Sequence, residues 1–407
     1  MSETGLPKAE SPEQIGLSSA RLERISAVLR RDVERGLIPG AVMLIARAGR
    51  VGYAASVGWR DREAEAPMAG DAIFRIASMT KPLTSVAAMM LAEEGRLQIA
   101  APVADYLPEF KELTVGIERA RPRRTMIVQD LMRHTSGLTY AQFGESPVQM
   151  AWRQAALGDE GQTNADLVAK LARLPLMFEP GTTWEYSMST DVLGRVVEIV
   201  SGQSLADFFA ERITGPLGMV DTGFAAAGER AARVAEAQLD RATGKRPPMR
   251  EVARPPRWHS GGGGLVSTAA DYLRFCQMLM NGGEFEGARL LAPNTVAHMA
   301  SDHLPPGIAY GDTARARFGA LAPVPEMGYG FGLGFAVRTA PGRSSVPGSV
   351  GDYFWGGVTG TYFWIDPAED LVAVLMLQAP DQRLPYRYLA RQLVYAAITG
   401  PAGRRVR

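Results

Sequence analysis

The sequence predicts an α+β fold: one antiparallel sheet assembled from both ends of the chain, flanked by helices, with a mostly helical stretch between. Three observations predict it. Strand-like alternation appears early, in "AVMLIARAGRVGYAASVGW" (Ala41 to Trp59), and again late, in "GFGLGFAVR", "GTYFWID" and "LVAVLMLQ". The middle, by contrast, mixes helical segments such as "STDVLGRVVEIVSG" and "SLADFFAERIT" with Pro- and Gly-containing loops. Strands at both ends around a helical middle imply a single sheet completed by distant pieces of chain. The expected division is a discontinuous α/β domain of residues 1–91 and 260–407, with a mostly helical domain at 92–259.

Taken in order, "SSARLERISAVLRRDVERG" (Ser18 to Gly36) offers an N-capping serine and apolar residues at Leu22, Ile25, Val28 and Leu29, the spacing of an amphipathic helix closed by glycine. The following strands turn around Ala48, Gly49 and Arg50 as a hairpin. After Ser78, the positions Leu83, Val86, Ala87, Met90 and Leu91 form one helical stripe that stops near Gly95. Pro82 fits that helix only in its first turn, where its missing N–H has no intrahelical acceptor to lose. The chain closes with a helix in "LPYRYLARQLVYAAITG".

Composition excludes several function classes. With 407 residues and 46% hydrophobic content the chain buries a large core, and 44 basic against 43 acidic residues leave a formal net charge of +1. Neither a nucleic-acid surface nor a polybasic membrane anchor fits that balance. A single cysteine, Cys276, rules out an internal disulfide and a cysteine-built metal site. The polar start "MSETGLPKAESPEQIG" lacks a secretory apolar run, so a cytoplasmic location is the default expectation.

Only five of the 44 basic residues are lysines, at positions 8, 81, 111, 170 and 245. Arginine stays protonated in a protein, whereas a lysine amine can be driven toward neutrality and used as a proton acceptor. Lys81 follows Ser78 by three residues, so a helix starting at the serine places both side chains on one face. That is the geometry of a nucleophile and its base. A neutral amine at pH 7 would cost about 4 kcal/mol, so a third group is needed.

Histidine occurs four times, at 134, 259, 298 and 303, in no Ser-His-Asp setting, and a Gly-x-Ser-x-Gly elbow is missing. His134 reads as a turn-holding residue. His298 and His303 with Asp302 read as structural, and no metal or cofactor is expected. Tyrosine is the better partner. Tyr186, in "PGTTWEYSMSTDVLGRVVE", precedes a helix capped by Ser189, Thr190 or Asp191, and a phenol beside a cationic lysine can ionise and take a serine proton. Trp355, Gly356 and Gly357 in "WGGVTGTYFWID" offer backbone amides close to a ligand. Each also has a plain structural reading, Tyr186 as a core aromatic and the Trp-Gly-Gly run as a strand bulge.

Together, "FRIASMTKP", "DLMRHTSGL", "PGTTWEYSMSTDVLG", "PLGMVDTGF", "GGGGLVSTAADYLRF" and "WGGVTGTYFWID" resemble, in order and content, the serine β-lactamase and penicillin-binding protein superfamily, and most closely the family VIII carboxylesterases. The resemblance implies the β-lactamase/transpeptidase-like fold. It implies Ser78 as acylated nucleophile, Lys81 and Tyr186 sharing the base role, and the backbone amides of Ser78 and Val358 as an oxyanion hole. Tyr140 would line the cleft. Two departures bear on substrate. Tyr186-Ser187-Met188 stands where relatives show Tyr-x-Asn, and Trp355-Gly356-Gly357 stands where they show Lys-Thr-Gly, losing the cation that meets a carboxylate. The expected activity is therefore hydrolysis of neutral, short-chain carboxylic esters, with a small-molecule ester as partner. A β-lactamase or D-alanyl-D-alanine peptidase, a transacylase, and an acylated sensor module are the competing readings.

Overall fold

The computed structural model describes residues 4–240 and 243–402. Helix α1 (Ser19–Glu34) starts where Ser18 accepts a hydrogen bond from the Arg21 amide and buries Leu22, Ile25, Leu29 and Val33. Strands β1 (Gly40–Arg47) and β2 (Arg50–Asp61) form the expected hairpin. Its turn is tight because Ala48 and Gly49 both adopt positive φ, 53° and 70°.

Among the described residues the sheet has eight strands. β3 (Ala66–Pro67) is one edge, and β4 (Tyr329–Phe331), β5 (Ala336–Arg338), β6 (Tyr353–Gly356), β7 (Tyr362–Asp366) and β8 (Leu371–Leu377) run from the other edge to the centre, in the order β4-β5-β6-β7-β8-β1-β2-β3. Every neighbouring pair is antiparallel. The two ends of the chain meet where β1 pairs with β8 from Ala41 opposite Leu377 to Arg47 opposite Leu371. Both strands are buried at every position, so both sheet faces are covered, which accounts for their near-continuous apolar runs. Helix α1 packs with the C-terminal helix α5 (Arg383–Ala397), and α4 (Ala269–Met280) packs on β8, β1 and β7. A buried ion network locks β5 and β6 to α5: Asp352 accepts from Arg338 at 2.8 Å and from Arg391 at 2.8 and 3.0 Å.

Helix α2 (Thr80–Glu93) departs from the one-stripe expectation. Thr80, Lys81, Thr84 and Ser85 are buried along with its apolar face, because α2 is enclosed on its remaining sides by α3 (Ser189–Ser201) and the 260–265 segment. Pro82 sits in the first turn and Gly95 closes the helix at φ 70°, as the sequence requires. Helix α3 begins differently from expectation: Met188 occupies its N-cap without a side-chain bond, so none of Ser189, Thr190 and Asp191 caps it. Among the described residues, no helix is long and apolar enough to cross a membrane.

Candidate active site

Ser78 lies in a single 3-10 turn, Ala77–Met79, that feeds directly into α2. The preceding Ala77 is held at φ 44°, a conformation unfavourable for a residue with a Cβ, and it turns Ser78 toward the cleft. Lys81, one turn on, is only 1% exposed. Its ammonium donates to Ser78 Oγ at 3.3 Å, to the Tyr140 hydroxyl at 3.1 Å and to the Gly262 carbonyl at 2.6 Å. The nitrogen also lies 4.7 Å from the centre of the Tyr186 ring. Alcohol, amine and both phenols thus meet at one point, and Ser78, Tyr140 and Tyr186 face the same cleft.

The electrostatics settle how the amine is kept. Burial works to lower its proton affinity, but Tyr140, Tyr186 and Asp191 more than offset this, and the net displacement is upward. Lys81 has its donors engaged on Ser78, Tyr140 and Gly262. Asp191 is the buried counter-charge. Its Oδ1 accepts from the Gly262 amide at 3.1 Å and from Ser260 Oγ, fixing the loop whose carbonyl receives Lys81. Burial pushes its carboxyl up while Lys81 and these donors pull it back. Glycine is required at 262 because a Cβ would lie 2.3 Å from Asp191 Oδ2.

The phenols are fixed from behind. Tyr186 accepts the Trp355 indole N–H at 3.2 Å, and its ring lies 4.8 Å from the His134 ring and 5.2 Å from Trp355. Burial first, then Lys81, drives the His134 imidazole well below its ordinary value, so it is neutral at pH 7; its Nδ1 pairs with Ser187 Oγ at 3.3 Å. The residues ahead of the two phenols are joined as well, Thr139 Oγ1 donating to Glu185 Oε1 at 3.0 Å.

The cleft, about 410 Å3, is bounded by Phe143, Met188, Trp258, Phe318, Gly356 and Val358. Met188, at the position of the missing amide, gives it an apolar wall. The Val358 amide donates to no acceptor among the described residues, while its side chain is 58% exposed. Trp355 is placed otherwise than its sequence reading suggested: it is 2% exposed behind Tyr186, packed on Phe318 and Phe331, and does not line the cleft. The glycines beside it serve close packing. A Cβ at Gly356 would lie 2.7 Å from the Arg387 guanidinium carbon, and one at Gly357 would lie 2.5 Å from the Ile76 carbonyl oxygen.

Of the other residues singled out from sequence, Cys276 is buried, and His303 uses both ring nitrogens, with Gln129 at 2.9 Å and the His298 carbonyl at 2.8 Å. Among the described residues, no group of three or more His, Cys, Asp or Glu could hold a metal ion. Asp191 was considered only as a cap and the Gly261–Gly264 run only as a shared motif, and no local sequence pattern joins the two.

A profile of the β-lactamase family matches residues 25–396. Protein Rv1367c of Mycobacterium tuberculosis is 36% identical over 377 residues, covering 88% of this chain and 91% of that protein. Esterase EstB of Burkholderia gladioli is 32% identical over 414 residues, covering 95% and 98%. Among solved structures, EstCE1, a hydrolase with promiscuous acyltransferase activity, superposes with a TM-score of 0.78 at 29% identity over 92% of this chain and 99% of its own.

Proposed function

Because the chain belongs to the β-lactamase family, we propose that it is a serine hydrolase of carboxylic esters acting through an acyl-enzyme on Ser78. The observation that carries this reading is the contact of Lys81 with Ser78 Oγ and Tyr140, and with the Tyr186 ring, inside one cleft. Similarity to an esterase across nearly the whole chain supports the choice of ester over amide.

In this mechanism the Lys81–Tyr186 pair, with the Trp355 N–H donating to the Tyr186 oxygen, takes the proton from Ser78 through that oxygen as Oγ attacks the ester carbonyl carbon. The carbonyl oxygen becomes an oxyanion held by the amides of Ser78 and Val358. The C–O bond to the alcohol breaks, and the proton passes from Tyr186 to the departing alkoxide. Water then attacks the acyl carbon, Tyr186 takes its proton and returns it to Ser78, and the acid leaves. Tyr140 holds Lys81 in place, a larger part than lining the cleft. Lys81 contributes charge and position and shares the base role with Tyr186.

Turnover of p-nitrophenyl butyrate against a chromogenic cephalosporin tests the class. Ester turnover abolished in Ser78→Ala is the expected result; faster cephalosporin turnover would reassign the protein as a β-lactamase. Transfer of the acyl group to an added alcohol is a second reading, favoured by the acyltransferase activity of EstCE1. Product analysis with an acceptor alcohol separates the two.

A further inference from the structure

The loss of the Lys-Thr-Gly cation pointed to a neutral substrate, but guanidinium groups from elsewhere in the chain enter the same cleft. Arg383 and Arg387, on the first turns of α5, and Arg317 line it beside Val358 and Phe318. Arg387 is 6% exposed; it donates one Nη to the Gly357 carbonyl, and its buried Nε has no partner. Arg317 likewise has a buried Nε without a partner; its Nη2 reaches the Gln142 carbonyl at 3.2 Å and its guanidinium lies 3.5 Å over the Phe143 ring. Among the described residues, the Arg383 guanidinium reaches only the Pro380 carbonyl, at 2.9 Å.

None of the three forms an ion pair with a carboxylate among the described residues. They repel one another through Arg383, and burial lowers the proton affinity of both Arg317 and Arg387. Glu185 faces Arg317 but is not paired with it. Two arginines four residues apart at a helix N-terminus oppose both each other and the helix dipole. The same helix shows the alternative. Arg391, one turn beyond Arg387, is fully buried and is neutralised by a two-pronged bond to Asp352. At 383 and 387 the fold supplies no such carboxylate.

We propose that this arginine cluster recognises a carboxylate carried by the substrate, so that the preferred substrates are esters with a free acid group: monoesters of dicarboxylic acids or acyl esters of hydroxy acids. A planar guanidinium with a free N–H edge suits a carboxylate in two-pronged geometry. The inference rests on the ester-hydrolase reading and replaces the expectation of a neutral ester.

The test compares kcat/KM for mono-p-nitrophenyl succinate with that for p-nitrophenyl butyrate, which matches it in chain length but lacks the acid group. 4-Acetoxybenzoate serves as a second arm with the carboxylate on the alcohol side. Preference for at least one acidic ester is expected in the native protein, weakening as salt rises. Its ratio to butyrate should fall by about tenfold in Arg387→Gln and in Arg383→Gln. Because Arg387 is buried and could be needed for folding, the half-buried Arg383 gives an independent reading, and competitive inhibition of native butyrate hydrolysis by glutarate a third. Butyrate turnover with no arginine-dependent preference and no inhibition by glutarate would overturn the inference alone. Absence of turnover with every ester would overturn the hydrolase reading and this one together.

Discussion

Glu185 immediately precedes the proposed base and is 5% exposed. Burial raises its carboxyl from an ordinary 4.5 to about 7; the Thr139 hydroxyl and Arg317 pull in the opposite direction, and Asp312 adds to the rise. Below about pH 4.5 the group is protonated in both the folded and the unfolded chain and has no effect on the balance between them. As pH rises through this value the unfolded chain loses its proton while the folded chain keeps it, so stability declines until about pH 7 and is constant beyond. At about 1.4 kcal/mol per tenfold, the penalty above pH 7 is about 3 kcal/mol. Glu185→Gln retains an oxygen to accept from Thr139 and removes the ionisation. The variant should match the native protein at pH 4.5 or below and gain up to about 3 kcal/mol at pH 8, read from urea unfolding midpoints at both pH values. An unchanged difference between the two pH values, or a less stable variant at pH 8, would refute this reading of the site's rear wall.

Tyr140→Phe removes an acceptor from Lys81 and should lower kcat by about tenfold or more with KM little changed. Gly262→Ala drives a Cβ into Asp191 and shifts the carbonyl that receives Lys81; a cost of about 1–3 kcal/mol in urea unfolding and a fall in kcat of about a hundredfold are expected. Val358→Ala should leave kcat within about twofold, because the exposed side chain is not used, whereas Val358→Pro, which removes the amide hydrogen, should cost about a hundred- to a thousandfold. Asp352→Ala leaves Arg338 and Arg391 buried without a counter-charge and should cost about 3–5 kcal/mol of stability.

What could be read from the sequence follows the range of the physical signal. The hairpin of β1 and β2 and the helix after Ser78 are local patterns, and the Ser78-Lys81 pair is set by one helical turn, so each was legible. The pairing of β1 with β8 followed from apolar strands at both ends needing a common sheet. Tyr140 was undervalued because its bond to Lys81 spans 59 residues and leaves no periodic trace. Asp191 looked like a cap because an acidic residue in a first turn ordinarily is one; its actual acceptor role depends on a loop about 70 positions away in the chain. The arginine cluster could not be seen, since arginine supplies most of the positive charge everywhere and only folding distinguishes the paired Arg391 from the unpaired Arg387. Trp355 was read from its motif as part of a run offering backbone amides close to a ligand, and the use of its indole N–H on Tyr186, 169 positions away, leaves no local trace.

The most direct measurement is the intact mass of the protein quenched during turnover of p-nitrophenyl butyrate, followed by peptide mapping. Formation of the acyl-enzyme predicts a gain of one butyryl group on the peptide containing Ser78, absent in Ser78→Ala and lost again as substrate is exhausted. Butyryl on another residue, or undiminished ester hydrolysis by Ser78→Ala, would contradict it.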